Sequence, residues 1–340
     1  MHSAKSYIIA LGLCLSGVMA TAQSQQTMEQ IGHLLEDALF VSDKYLTPAA
    51  DAAIYQSSSA WLTTAKSREL WDVTIGVNAN VFFVPKRDRS FTVNNSDFSF
   101  FTIENATTAE LPTALGNDDR FYLTGEIDDN GSVSPVRMRA PEGIDTESIT
   151  YPYLQASVGL PFGTELIAKY STKVKLKKGH YQVYGAGLKH TVSRYFPTVE
   201  AKNVFVSVLA AYSHEDISFS FLDTETQFGN LGLNQISGLV NTWQFQASVS
   251  KKWNKFELMS SVIGNTSQIK YEVGGPKGEI ENILPVQYIV NERLKDIYKT
   301  KTNVLGEISG RYQIGKIYLQ SAFAFGKFAN ANFSIQYEII

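Results

Sequence analysis

Cysteine is almost missing: Cys14 is the single one in 340 residues, and it lies in the opening apolar stretch, so no disulfide staples the rest of the chain. Beyond that stretch no run of 18 apolar residues occurs, which excludes a membrane-spanning helix but not a crossing by strands. Neither sign of charge prevails, with 30 Lys and Arg against 33 Asp and Glu, so the balance offers nothing to a nucleic acid. The histidines are scattered (His2, His33, His180, His190, His214). No G-x-S-x-G elbow, phosphate loop or H-E-x-x-H pair accompanies them. No catalytic, cofactor or metal residue is therefore expected. His214-Glu215-Asp216 could be read as a hydrolytic cluster, but neighbours on a strand point to opposite faces and cannot converge.

What is present begins with a leader. Lys5, the apolar stretch from Tyr7 to Met19, and Ala20 and Ala22 before Gln23 read as a secretory signal peptide, residues 1–22. A lipoprotein leader ending at Cys14 fits worse, because Leu13 occupies a place that wants a small residue and Cys14 lies in the middle of the apolar stretch. Removal of Lys5 with the leader would shift the net charge from −3 by one unit.

From Trp71 the chain alternates. Trp71, Val73, Ile75, Val77, Ala79, Val81 and Phe83 oppose Asp72, Thr74, Gly76, Asn78 and Asn80 until Pro85 closes the run. A period of two over that length is a strand. The pattern recurs at 164–176, 204–212, 239–251, 317–325 and 333–339. Several of these runs reach the roughly 9–11 residues that a tilted strand needs to cross a bilayer. Their polar faces are rich in Gln, Ser, Thr and Asn, as a wet lumen requires, and 20 Phe, 17 Tyr and 4 Trp suit aromatic girdles. The expected fold is an all-β antiparallel transmembrane barrel over residues 67–340. The last apolar stripe ends on Ile339, where many such barrels place an aromatic residue.

The links fall into two kinds. Short turns are expected at 161–163, 178–179, 253–254 and 313–315, and long polar links at about 105–150, 223–239 and 274–302. Counting back from a last strand that ends in the periplasm puts all three long links outside, as bacterial barrels require. The count needs 202–222 and 255–273 to be single long strands, the first with a bulge near His214-Glu215-Asp216. Nine strands follow Tyr151, and those before it bring the expected total to about 12, within a range of about 10–14.

Residues 23–66 break the pattern. Met28, Ile31 and Leu35 form a helical stripe, followed by small residues and Trp61. This segment is expected to plug the lumen; a periplasmic arm is the alternative. Inside the barrel, Lys169, Lys173 and Lys175 share the polar face of one strand with Glu165, and Glu307 and Arg311 share another. Lysine facing lipid at mid-depth costs about 2–4 kcal/mol, so the lumen is the expected side. These residues make either a basic path for an anionic head group or a charge-balanced wall.

Tyr151-Pro152-Tyr153-Leu154-Gln155-Ala156-Ser157-Val158-Gly159-Leu160, Gly163-Thr164-Glu165-Leu166 and Tyr184-Gly185-Ala186-Gly187-Leu188-Lys189-His190 resemble segments of an uncharacterised family of Gram-negative outer-membrane barrels. So do Trp61-Leu62-Thr63-Thr64-Ala65-Lys66 and Leu111-Pro112-Thr113. That family is distantly similar to the FadL/TodX-type transporters of long-chain fatty acids and hydrocarbons, which have 14 strands and an N-terminal plug. The resemblance implies passive uptake of a hydrophobic or amphipathic small molecule. The alternative is a barrel that anchors or assembles a secretion or cell-surface complex. The expected surroundings are outer-membrane lipids, with the barrel-assembly machinery as a partner during biogenesis.

Overall fold

The computed structural model describes residues 25–129, 132–176, 179–220, 225–226, 229–230, 234–277 and 285–339. The expected cleavage-site residues Ala20, Ala22 and Gln23 lie outside them. A long helix, α1 (Gln25–Ser58), opens the described chain. Ten strands then form the wall: β1 (Val73–Phe83), β2 (Ser148–Leu160), β3 (Thr164–Tyr170), β4 (Gly179–Thr191), β5 (Val204–Ser220), β6 (Gln235–Trp253), β7 (Phe256–Gly274), β8 (Lys299–Ile314), β9 (Ile317–Phe325) and β10 (Ala329–Glu338). Each pairs antiparallel with its neighbours in sequence, and β1 pairs with β10 from Thr74↔Glu338 to Phe83↔Ala329, so the sheet closes. A short eleventh member, Val174–Leu176, adds to the edge of β4.

Ten strands correct the expected 12, and also the 14 of the transporters. The link between β1 and β2 adds no strand to the wall and folds into two small sheets of its own. Ser90–Asn94 pairs with Thr108–Pro112, and Tyr122–Asp129 pairs with Thr102–Ile103 and Ser132–Arg139. None of these strands exceeds 8 residues, below the crossing length, and Glu126, Asp128, Arg137 and Arg139 would be costly in lipid. They surround a separate core of Val93, Phe101, Ile103, Leu111, Leu123, Met138 and Ala140, to which α1 adds Val41.

The wall is inside-out relative to a water-soluble barrel. Ile75, Val77, Leu154, Phe245, Val262, Phe333 and Ile335 are exposed on its outer face, while Thr74, Asn78, Gln155, Gln246, Ser261, Ser334 and Gln336 are buried inside. Such a belt is stable only against lipid. On β6, Trp243 and Trp253 lie ten residues apart. That is about 33 Å along the strand, or about 25 Å after tilt, the height of an outer-membrane apolar band.

Above the belt the pattern inverts. The outer face of β7 changes from Leu258 and Val262 to Thr266, Gln268, Lys270 and Glu272, while its inner face gains Ile269, Tyr271 and Val273. On β5 the outer Val204, Val206, Val208 and Tyr212 give way to His214, Asp216 and Ser218, and the inner face gains Ile217 and Phe219. The expected bulge is absent: pairing of β5 with β6 runs without interruption from Val204↔Lys251 to Ser220↔Gln235. The apolar stripe changes face because the strand leaves lipid for water, not because the backbone slips.

Long links lie at one end of the barrel, at 84–147, 221–234 and 275–298, the last carrying α2 (Val286–Leu294). The opposite end has tight turns at 161–163, 254–255 and 315–316, and a compact link at 192–203.

Candidate functional site

In the lumen, charged side chains, polar side chains and a non-wall segment converge. α1 enters from the long-link end. Its Tyr45, Leu46, Ala49, Ala50, Ala53 and Ile54 join the apolar inner face of the projecting strands, with Tyr45 edge-on to Phe219. Asp43 and Asp51 meet Lys299, Lys301 and Lys327 at the same level.

At Ser58 the helix stops, and its last carbonyls need donors that no water-filled surface supplies here. The wall supplies them. Asn330 Nδ2 donates to the Tyr55 carbonyl (3.2 Å), and Lys169 Nζ donates to the Ser59 carbonyl (2.5 Å) and lies 3.5 Å from that of Ser57. A cation at a helix C-terminus also complements the macrodipole. Trp61 folds back so that its Nε1–H reaches the Ser57 carbonyl (2.6 Å), and Lys169 sits over its ring at 4.4 Å. Across the lumen the Ala60 N–H donates to Glu307 Oε2 (2.6 Å), and Asn265 Nδ2 donates to Ser58 Oγ (2.8 Å).

Below Trp61 the chain is irregular, with no ladder or helix of its own, so it exposes carbonyls that the wall again satisfies. Gln155 donates to Trp61 (2.7 Å), Gln320 to Leu62 (3.1 Å), Lys189 to Thr64 and Lys66 (3.1 and 2.8 Å), and Thr191 to Ala65 (3.1 Å). Much of the polar lumen therefore serves the buried backbone of this segment. Trp61, Leu62 and Ala65 pack on Ile167, Phe205, Leu209, Ala211 and Met259.

Near the short-turn end, Arg68 Nε meets Glu165 Oε1 at 2.9 Å and Lys189 Nζ meets Glu165 Oε2 at 2.5 Å. Arg68 also reaches Glu338 (3.4 Å), and Thr64 Oγ1 donates to Glu257 (2.8 Å). Arg311 stacks on Tyr318 at 3.6 Å. The segment leaves the barrel past Gly159, where an added Cβ would stand 2.0 Å from the Glu69 carbonyl oxygen. Trp71 N–H then bonds to Gly159, and β1 begins.

Of the lumen residues read from sequence, Glu165, Lys169, Glu307 and Arg311 are buried within the barrel. Lys173 and Lys175 are a correction: they follow the end of β3 at Tyr170 and stand exposed at the rim, where Lys173 lies 4.0 Å from Asp216. Three lysines therefore do not line one path. In the N-terminal stripe, Trp61 is buried in the lumen, Leu35 is half-buried at the long-link end, and the side chains of Met28 and Ile31 lie outside the described residues. Sequence reading missed Arg68, Lys189, Gln155, Asn265, Gln320 and Asn330. Lys189 was accessible by the rule applied to Lys169, since its outer neighbours Leu188 and His190 put it on the inner face. The neutral amides carry no such signal.

The His214-Glu215-Asp216 triplet splits as strand geometry requires. His214 faces out and bonds Asn241 (2.8 Å), while Glu215 is buried inside. Asp216 approaches His180 (3.6 Å), whose ring also bonds Ser218 Oγ (2.6 Å). Ser218 is 1% exposed, so this cross-strand cluster presents no hydroxyl to a substrate. Among the described residues no group of three or more His, Cys, Asp or Glu is placed to hold a metal.

Solved structures with similar chain traces include the COG4313 outer membrane channel from Pseudomonas putida F1, at 8% identity and a TM-score of 0.36, covering 83% of this chain and 100% of that one. The translocator domain of autotransporter NalP from Neisseria meningitidis gives 10% and 0.31, covering 87% and 98%. A Pseudomonas aeruginosa FadL homologue gives 9% and 0.28, covering 75% and 60%. No curated protein matches the sequence. A family of unknown function (DUF6588) matches residues 3–339, nearly the whole chain, and the protein belongs to that family.

Proposed function

We propose that this protein is an outer-membrane anchor that holds a folded structure at the cell surface, with Tyr55–Arg68 acting as a fixed plug. One observation carries the reading: the plug is bonded, through its backbone to side chains of β2, β3, β4, β8, β9 and β10 and through Ser58 Oγ to β7, and Trp61 is completely buried. A segment held on seven strands is part of the core. The two small sheets of the 84–147 link, packed on α1, form the displayed structure and suit a role in anchoring or assembling a surface complex. Outer-membrane lipids surround the apolar belt, and the barrel-assembly machinery inserts it.

Passive passage of a fatty-acid-like molecule is the other reading. It would require Tyr55–Arg68 to leave the lumen, stripping Lys169 and Glu307 of their plug partners and Glu165 of Arg68. Conductance in planar bilayers separates the two. The anchor gives no steady open current, and deletion of its gene leaves long-chain fatty acid uptake unchanged. A stable open channel, or lost uptake restored by the wild-type gene, would sink the anchor reading.

A further inference from the structure

The direction of α1 through the barrel has a topological consequence. Its first half belongs to the long-link end. The Asp37 carboxylate accepts the backbone N–H groups of Ser99, Phe100 and Phe101 (2.7–2.9 Å), and Gln30 accepts that of Asp128 (3.0 Å). Val41 lies in the core of the small sheets, with Leu34 and Phe40 packed against it. Its continuation belongs to the other end, where Arg68 bonds Glu165 and Glu338 and the chain turns into β1. α1 ends at Ser58, bonded to Asn265, which pairs with Gln244 beside Trp243 at the long-link edge of the belt, so most of the roughly 25 Å band is spanned by the chain between Ser58 and Arg68. The two ends of this segment therefore stand on opposite sides of the membrane. In bacterial barrels the tight turns face the periplasm and the long links face outward.

We propose that the barrel exports its own α1, so that the chain between Ser58 and Arg68 crosses the outer membrane inside the lumen and the Gln25 end of the helix is displayed on the cell surface. The small sheets cannot complete their core until α1 has crossed, because Val41 and Asp37 come from the helix. Outward passage of α1 therefore precedes, or accompanies, closure of β1 on β10. Residues placed on the first turns of α1 become surface epitopes, held by a helix rather than by a loop. This topology is independent of the anchor reading: a conducting lumen would leave it intact, and a reversed α1 would leave conductance unexplained but unchanged.

Single-cysteine labelling tests it. Glu29 and Glu36 have side chains 72% and 71% exposed, so Glu29→Cys and Glu36→Cys leave the fold undisturbed. Asn254→Cys, in the exposed tight turn after β6, reports the opposite side. Intact cells are treated with a membrane-impermeant maleimide, with the wild type giving the background. The expected result is full labelling of Glu29→Cys and Glu36→Cys before permeabilisation, and at least about tenfold less of Asn254→Cys. Labelling of the α1 cysteines only after permeabilisation, or no more than Asn254→Cys in intact cells, overturns the proposal.

Discussion

Glu165 lies between two cations, Arg68 from the plug segment and Lys189 from the wall, and all three are buried. With Arg311 near Glu257, and Glu338 near Arg68, three cations face three carboxylates in one compact network. Burying such charges is worthwhile only when each keeps its partner. Glu165→Gln is expected to destabilise the folded protein by about 3–5 kcal/mol, because two buried cations lose their shared carboxylate. Urea unfolding in lipid measures it, and the double variant Glu165→Gln/Lys189→Met should lose less than the sum of the singles. A loss below about 1 kcal/mol would mean that the network is solvated, like a surface pair. Asp37 works differently, as an acceptor for three backbone donors. Asp37→Ala should cost about 1–3 kcal/mol locally. The expected readout is faster proteolysis within 84–147 while the barrel keeps its folded mobility on unheated gels.

Among elements, the long strands carry the clearest instruction. Alternation reported where each of β5, β6 and β7 lies and which residues oppose, but it could not report which solvent faced each side. That ambiguity produced the bulge expected at His214-Glu215-Asp216, where the strand in fact passes from lipid to water with its pairing intact. The same ambiguity hid the length of α1. A helix enclosed by a wall is covered on most sides, so it lacks the single stripe by which helices are read, and the Ala-rich run after Pro48 carries none. The border itself can be tested. Phe245→Lys, 66% exposed in the belt, should cost about 2–4 kcal/mol of folding into liposomes. Gln268→Lys, on the outer face of β7 above the belt, should change it by less than about 0.5 kcal/mol. Equal effects would show that both positions meet the same solvent.

For the molecule as a whole, the side on which the links gather was legible from their lengths and from the parity of the strands between them. Strand number was not, because a polar link with its own short strands looks like additional wall until its pairing is known. Nor was the lumen chemistry: Gln155, Asn265, Gln320 and Asn330 match the polar lining of any wet barrel, and only the carbonyls and hydroxyls of the plug explain their presence. Barrel, plug and small sheets share α1, so the protein should unfold with the lumen and the surface structure coupled. Trp61→Ala, which empties a fully buried site, should therefore cost about 3–5 kcal/mol and expose the 84–147 link to protease as well.

Ser58 sits inside the barrel against Asn265. Reaction of the Ser58→Cys/Asn265→Cys variant with a short bifunctional maleimide in native outer membranes tests it most directly. An intramolecular link is expected for this pair and none for Ser58→Cys/Gln268→Cys, whose second cysteine faces outward. Failure of the first pair to link, or equal linking of the second, would contradict a plugged lumen.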